Sequence, residues 1–276
     1  MSALALFARP LPFPLHAALP LVWRSACCLL LSAGSLPLAA QSAIYPSFLL
    51  QNDLTTHAHL VLRSSETVFR ITNESEAFLE RSWAVTILQP AGNYAAQAIC
   101  AEDVFSTIKK MEGRLYDGSG VFVRANEKKE IREYGSGADN EFSDHRLQVL
   151  TMENSTFPYT VEFKTRELIR GFFRIPEFEL QRLGEAVEQA SYSIVAPATY
   201  RFQWKGVHTD IQPTVSTAGT ETTWTWTARN LAAIPREKHH AYFDDRYAEV
   251  LFAPEKVKID QYTGDLSNWT EAGRFF

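Results

Sequence analysis

IKKMEGRLYDGSGVFVR, residues Ile108 to Arg124, sets the fold class, because two alternating runs meet there at a four-residue turn. Met111, Gly113 and Leu115 fall on one side of the first run and Lys110, Glu112, Arg114 and Tyr116 on the other, the period of two that gives a strand one buried and one wet face. The turn is Asp117-Gly118-Ser119-Gly120. Its glycines reach positive φ without a Cβ clash, and the Asp carboxylate can accept bonds from nearby backbone amides. Val121 and Val123 resume the alternation, and β-branched residues favour a returning strand over a helix. The stretch reads as a β-hairpin and announces antiparallel sheet.

The chain on either side repeats this pattern of short β-rich runs divided by turn residues. His59 to Leu62 leads to Ser64-Ser65, and Thr67 to Ile71 leads to Asn73-Glu74-Ser75. Ala77 to Gln89 is a longer strand with Trp83, Val85 and Ile87 on one face, closed by Pro90-Ala91-Gly92-Asn93. Ala125 to Asp144 is polar and reads as an exposed loop or weak edge strand. Arg146 to Met152 and Tyr159 to Thr165 form the next pair, and Phe172 to Pro176 reads as a buried corner. Ala190 to Pro197 and Tyr200 to Trp204 are two strands joined at a proline, where a missing amide donor is tolerated. Thr222 to Thr227 places Trp224 and Trp226 on one face; Val250 to Pro254 and Val257 to Ile259 complete the sheet-like part. Strand after strand with turns between indicates a sandwich or barrel, not a βαβ fold. The expectation is an all-β protein, a large antiparallel β-sandwich of two sheets packed face to face, with a short C-terminal helix. That helix starts within Gly264 to Trp269, with Ser267 as N-cap and Glu271 near the positive end of its dipole. Trp269, Ala272 and Phe276 share a face that asks for a partner.

With 276 residues, 46% hydrophobic and 21% charged, the chain has the balance and length of a globular protein with a sizeable core. Its first forty residues differ in kind. Arg24 precedes the apolar run Ala26 to Leu31, small residues continue to Ala39-Ala40, and polarity begins at Gln41. That is the order of a secretory signal, with cleavage expected after Ala40 or alternatively after Ser42. The apolar run is well short of the ~20 residues needed to span a bilayer, so no transmembrane span is expected. Removing residues 1–40 takes away Arg9 and Arg24 and no acid, leaving 25 basic residues against 32 acidic and a net charge of about −7. Nucleic acid is an unsuitable partner for such a surface. Cys27 and Cys28 leave with the signal, so Cys100 remains without a disulfide partner and stability must come from the core.

Chemistry-bearing residues are few. Cys100 is a nucleophile candidate with His145, His208, His239 or His240 as base, but Ala98 to Ala101 reads as strand, which favours a buried, inert thiol. The hydrolase elbow G-x-S-x-G is absent. His57 with His59, and His239-His240 with Asp244-Asp245, offer metal ligands, but no second cluster stands at a ligand spacing. The acidic loop Asp139, Asn140, Glu141 and Asp144 lacks the spacing of a calcium loop and reads as a solvated turn. No metal and no cofactor are expected. Trp204, Trp224 and Trp226 are the binding candidates: exposed, they would make a platform for sugar rings, although tryptophans at i and i+2 more often fill a sandwich core.

Four segments, TIKKMEGRLYDGSG (107–120), HRLQVLTMENSTFPYTVEF (145–163), WTWTARNLAAIPRE (224–237) and VLFAPEKVKIDQYTGDLSNW (250–269), occur in an order that resembles a known family. It is the N-terminal domain of unknown function that precedes a transglutaminase-like domain in many secreted bacterial proteins. The resemblance runs roughly from Leu60 to Phe276. It implies a large β-sandwich whose GDLSNW segment leads into the first helix of the enzyme-like domain, and it places the papain-like Cys, His and Asp in that downstream domain. The expected organisation is a signal peptide over 1–40, a β-sandwich domain over 41–263, and over 264–276 the start of a helix leading to an absent transglutaminase-like domain. The expected function is an exported, non-catalytic binding or scaffolding domain, in the periplasm, at the cell surface or secreted. Its partners would be a transglutaminase-like domain, in cis or as a neighbouring protein, and a glycan or peptide ligand. The alternative is a carbohydrate-binding module using exposed tryptophans.

Overall fold

The computed structural model describes residues 44–135, 145–172, 174–235, 247–259 and 261–275. The chain enters through a one-turn helix α1 (Asn52–Thr55) into β1 (Leu60–Asn73), β2 (Glu76–Ile87), β3 (Gln97–Glu102), β4 (Ser106–Tyr116) and β5 (Phe122–Ala125). It continues through β6 (Ile131–Gly135), β7 (Arg146–Thr151), β8 (Tyr159–Arg170), β9 (Ile175–Glu179), β10 (Glu185–Pro197) and β11 (Phe202–Val207). The last elements are β12 (Thr214–Ala218), β13 (Glu221–Leu231), β14 (Glu249–Pro254), β15 (Lys256–Ile259), β16 (Tyr262–Asp265) and the helix α2 (Trp269–Phe275). The fold is all-β, as its alternation requires. The leader expected over 1–40, the acidic residues at 139–144, and His239, His240, Asp244 and Asp245 lie outside the described residues, as do Phe276 and the side chain of Trp269.

The sandwich is not two equal sheets. One eight-stranded sheet, in the order β12-β13-β10-β1-β2-β8-β4-β5, carries two separate three-stranded sheets, β11-β14-β9 and β3-β7-β6. Its neighbours are antiparallel except β1 and β10, which run parallel; more than a hundred residues separate them, so no hairpin fixes their direction. β1 is one continuous strand through Ser64-Ser65, where two runs were expected, because a bulge between Leu62 and Ser64 absorbs the extra residue. The bulge keeps the core pattern in step, with Leu60 and Leu62 facing inward before it and Ser65, Thr67, Phe69 and Ile71 after it. Strands β7 and β8, expected as a pair, lie in different sheets: β7 pairs with β3 and β6, β8 with β2 and β4. Adjacent β runs in sequence look the same whether the turn between them closes a hairpin or crosses between layers.

Two apolar clusters fill the space between the layers. Over one part of the large sheet, Phe69, Ile71, Tyr192, Ile194 and Trp226 meet Phe178, Val250 and Phe252 of the β11-β14-β9 sheet. Over the other, Val85, Ile87, Leu115, Val161 and Phe163 meet Ala98, Cys100, Leu150 and Met152 of the β3-β7 region. On the opposite face Leu54 of α1 packs with Val61 and Ala186. That outer face is otherwise charged, with Arg166 and Glu80 paired at 3.0 Å and Lys164 and Glu162 at 3.3 Å.

The opening hairpin forms as read, with Met111, Gly113 and Leu115 buried. Tyr116, expected on the wet face, is buried too, under an edge-on Tyr45 ring at 5.2 Å and Phe122 at 5.9 Å. Residues 44–47 cover it because Ile44 N–H donates to Gly120 O and Ser47 N–H and Oγ–H to Gly118 O. The close approach needs glycine: at Gly120, φ is +82° and an added Cβ would sit 2.5 Å from Pro46 N. At the other end, β15 and β16 form a hairpin of their own. The N-cap of α2 is Asn268, not Ser267: its Oδ1 accepts the Glu271 N–H at 3.0 Å.

Candidate functional site

Because the second layer is made of two sheets, it leaves part of the large sheet's inner face uncovered. A cleft of about 520 Å³ opens there. Its floor is Leu62, Ser65 and Thr67 of β1, Leu79 and Arg81 of β2, and Ala190 and Tyr192 of β10; its wall is β9 and its flanks, Arg174, Pro176 to Glu179 and Arg182.

The floor is unusual for an inter-sheet face because it holds charge. Arg81 stands between Leu79 and Trp83 on the inward side of β2, and Glu167 stands on the inward side of β8. Arg81 Nη2 donates to Glu167 Oε1 at 2.5 Å and approaches Cys100 Sγ at 3.7 Å. Glu167 is 8% exposed and Arg81 34% exposed, so the guanidinium is anchored below and reaches water above. Its Nε is buried without a partner. Tyr192 is held by its hydroxyl, which donates to Pro176 O at 2.6 Å, and by ring stacking on Phe178 and Phe252 at 5.8 and 5.0 Å. Burial raises its pKa above the ordinary phenol value, so it remains a neutral donor.

The wall carries two ion pairs. Arg174 pairs with Glu177, and Arg182 Nε donates to Glu179 at 2.7 Å. Partial burial pushes the Glu177 carboxyl up, but the Arg174 bond, its own backbone amide and the guanidinium charge outweigh that and hold it below the usual range. The bond to Glu177 in turn raises Arg174. The cleft thus offers guanidinium groups, carboxylates and the hydroxyls of Ser65 and Thr67, and among the described residues neither histidine nor cysteine lines it. Among the described lining residues no cysteine or serine stands beside a histidine as nucleophile and base.

Cys100 lies in β3 and is buried at 2% exposure. Burial, and next the charge of Glu167, push its thiol up to about 12, so it is protonated at neutral pH. Its polar neighbours are Arg81, Glu167 and Thr165, whereas His145 lies 3.7 Å from Asp103. His57 and His59 border a separate cavity of about 410 Å³ with Gln89 and Pro235. Among the described residues no group of three or more His, Cys, Asp or Glu could hold a metal ion, and no helix is long and apolar enough to cross a membrane.

The three tryptophans come together, but around a core. Trp226 is 0% exposed, edge-on to Trp204 at 5.7 Å and to Phe252 at 4.8 Å, and Trp224 stands edge-on to Phe202 at 5.0 Å. Trp204 and Trp224 are partly buried against the same cluster. A sugar platform needs flat indole faces in water, and Trp226 presents none because its whole surface is spent between the sheets. The cleft residues Arg81, Arg174 and Tyr192, and Glu167 that anchors Arg81, did not stand out in the sequence. The available signal was parity: in AFLERSWAVTI the series Ala77, Leu79, Arg81, Trp83, Val85 puts a charge on the apolar face.

Residues 80–235 match the model of the family described as Domain of Unknown Function with solved-structure structure (DUF3857). No curated protein sequence matches the chain. Among solved structures, a "putative protease" from Parabacteroides distasonis ATCC 8503 is similar with a TM-score of 0.63 at 11% identity, over 71% of this chain and 40% of that one. An M1 zinc metallopeptidase from Deinococcus radiodurans gives a TM-score of 0.33 at 8% identity, over 75% of this chain and 46% of that one. The chain spans less than half the length of either. The first likeness is one of fold, and the second is too loose to carry an argument.

Proposed function

The chain belongs to the DUF3857 family, and on that premise we propose that it is the non-catalytic, ligand-binding part of an exported protein. It works beside a transglutaminase-like domain, joined to it or encoded next to it. The observation that carries the reading is the cleft: an opening of about 520 Å³ on the inner face of the large sheet, lined by paired charges and hydroxyls and, among the described residues, by no cysteine or histidine. A natural sandwich seldom leaves such a gap between its layers, since unfilled space and inward charge both cost stability. Function compensates for that cost. Export is supported by the order of charge, apolar run and small residues before Gln41, and the transglutaminase-like partner by the resemblance of the four segments.

The fate of a ligand tests the non-catalytic reading. The chain, presented to arrays of oligopeptides and oligosaccharides, is expected to retain members of one array and to return them unaltered by mass spectrometry. A ligand returned cleaved or cross-linked, with that change lost in Cys100→Ala protein, would make the chain an enzyme. Retention from neither array would remove the binding reading. The partner is tested in the DNA downstream of the Phe276 codon, where a frame carrying a Cys, His and Asp of papain type is expected; its absence there and in the neighbouring genes would overturn the pairing.

A further inference from the structure

The backbone of β9 narrows the ligand class. β9 pairs with β14 through Phe178 opposite Val250 and Glu179 opposite Glu249, and Leu180 N–H donates to Ala248 O at 2.9 Å. Backbone groups alternate in direction along a strand, so Phe178 shares the side of Leu180 and Glu179 turns its N–H and C=O to the opposite edge; beyond Phe178 the ladder is interrupted by a shift of register before Ile175 meets Phe252. Among the described residues that edge has no strand beside it, since β9 ends the order β11-β14-β9. The cleft touches each residue from Pro176 to Glu179. Phe178 and Glu179, in regular register, point to opposite faces, so a cavity meeting both runs along the edge and not over one face. From the other direction β3 ends its own sheet, and Cys100 on it reaches the same floor at Arg81. The second layer is therefore interrupted between two unpaired strand edges.

We propose that an extended segment of a partner polypeptide enters this cleft, adds to the outer edge of β9 through the backbone N–H and C=O of Glu179, and seats an acidic side chain on Arg81. This rests on the binding reading above and names its ligand class. Charge complementarity selects the acid: the lining carries three guanidinium groups, Arg81, Arg174 and Arg182, against the two carboxylates Glu177 and Glu179, and Arg81, anchored by Glu167, keeps a third of its side chain exposed. Residues two along the inserted strand would meet Leu62 and Leu79 on the floor. A second copy of this chain is a poorer occupant than a single extended segment, because its edge strands come with whole sheets attached.

Panning a random decapeptide display library on the chain is the test, followed by N-methylation of each amide of an enriched peptide. Enriched peptides are expected to carry one Asp or Glu within a β-branched or aromatic alternation and to bind Arg81→Met protein at least tenfold more weakly. N-methylation leaves the protein untouched, so it reads the edge even if that variant folds poorly. Methyl groups on one set of alternate amides are expected to weaken binding about a hundredfold, and on the other set less than threefold. Enriched peptides with a flat N-methyl scan, or with no carboxylate preference, would overturn strand addition while leaving a peptide-binding domain. Retention of oligosaccharides with no enriched peptide would overturn the peptide class and leave the binding reading standing. Retention of neither would end both.

Discussion

Arg81 occupies a position that the alternation of β2 reserves for an apolar side chain, and its neighbour Glu167 does the same on β8. Removing one partner of such a pair strands a charge among apolar neighbours, whereas replacing both with apolar groups of similar size does not. Arg81→Met alone is expected to lower stability by about 3 kcal/mol in urea unfolding, at the low end for a buried pair because a third of Arg81 is in water. Arg81→Met together with Glu167→Leu should recover most of that loss; a double variant as unstable as the single one would show that the pair does not hold the floor. Cys100 gives a second residue-scale prediction. A thiol pushed up to about 12 from its ordinary 9 has roughly a thousandfold less thiolate at pH 8. Alkylation by iodoacetamide should therefore be slow in the folded chain and become rapid in denaturant. The burial of Cys100 was legible from the β-rich run around it. The Arg81 to Glu167 pair was not, because it needs the register of two strands more than eighty residues apart.

At the scale of elements, the hairpin was readable because its turn chemistry is local. Asp117 Oδ1 accepts Ser119 Oγ–H at 2.6 Å, Ser119 N–H at 2.9 Å and Val121 N–H at 3.0 Å. The Ser119 hydroxyl first, and then, against a small opposing burial effect, the amides of Val121, Ser119 and Gly120, hold this carboxyl below its ordinary 3.8. A carboxyl depressed in the folded state stabilises above the unfolded value and loses that contribution as pH falls through the folded one. The stability difference between wild type and Asp117→Asn is thus expected to be constant at neutral pH and to close below about pH 3.8 in acid titrations followed by tryptophan fluorescence. In β13 the shared face of Trp224 and Trp226 was likewise legible, and its burial follows from the layer above. Trp226 buries an indole whose Nε1 has no hydrogen-bond partner. Trp226→Phe should cost less than about 1.5 kcal/mol because it also removes that orphan donor, against about 3 to 5 kcal/mol for Trp226→Ala. What the runs did not reveal was which turns cross between sheets, as between β7 and β8, since pairing is decided by partners remote in sequence.

For the molecule as a whole, composition and alternation specify an all-β sandwich, but not that its second layer comes in two pieces. Each small sheet has its own apolar cluster beneath it, Phe178, Val250 and Phe252 on one side and Leu150 and Met152 on the other. The uncovered floor between them is a product of that division. No local motif encodes it, which is why the tryptophans, conspicuous in sequence, drew attention away from the cleft. Chemical-shift mapping during titration with an enriched peptide or oligosaccharide tests the cleft as the binding site most directly. The expected result is a set of perturbed amides confined to Ser65, Thr67, Arg81, Tyr192 and the stretch from Arg174 to Arg182, with Trp204 and the outer-face residues Glu80, Lys164 and Arg166 unmoved. Perturbations centred on Trp204 and Trp224, or spread over the outer face with the cleft silent, would contradict it.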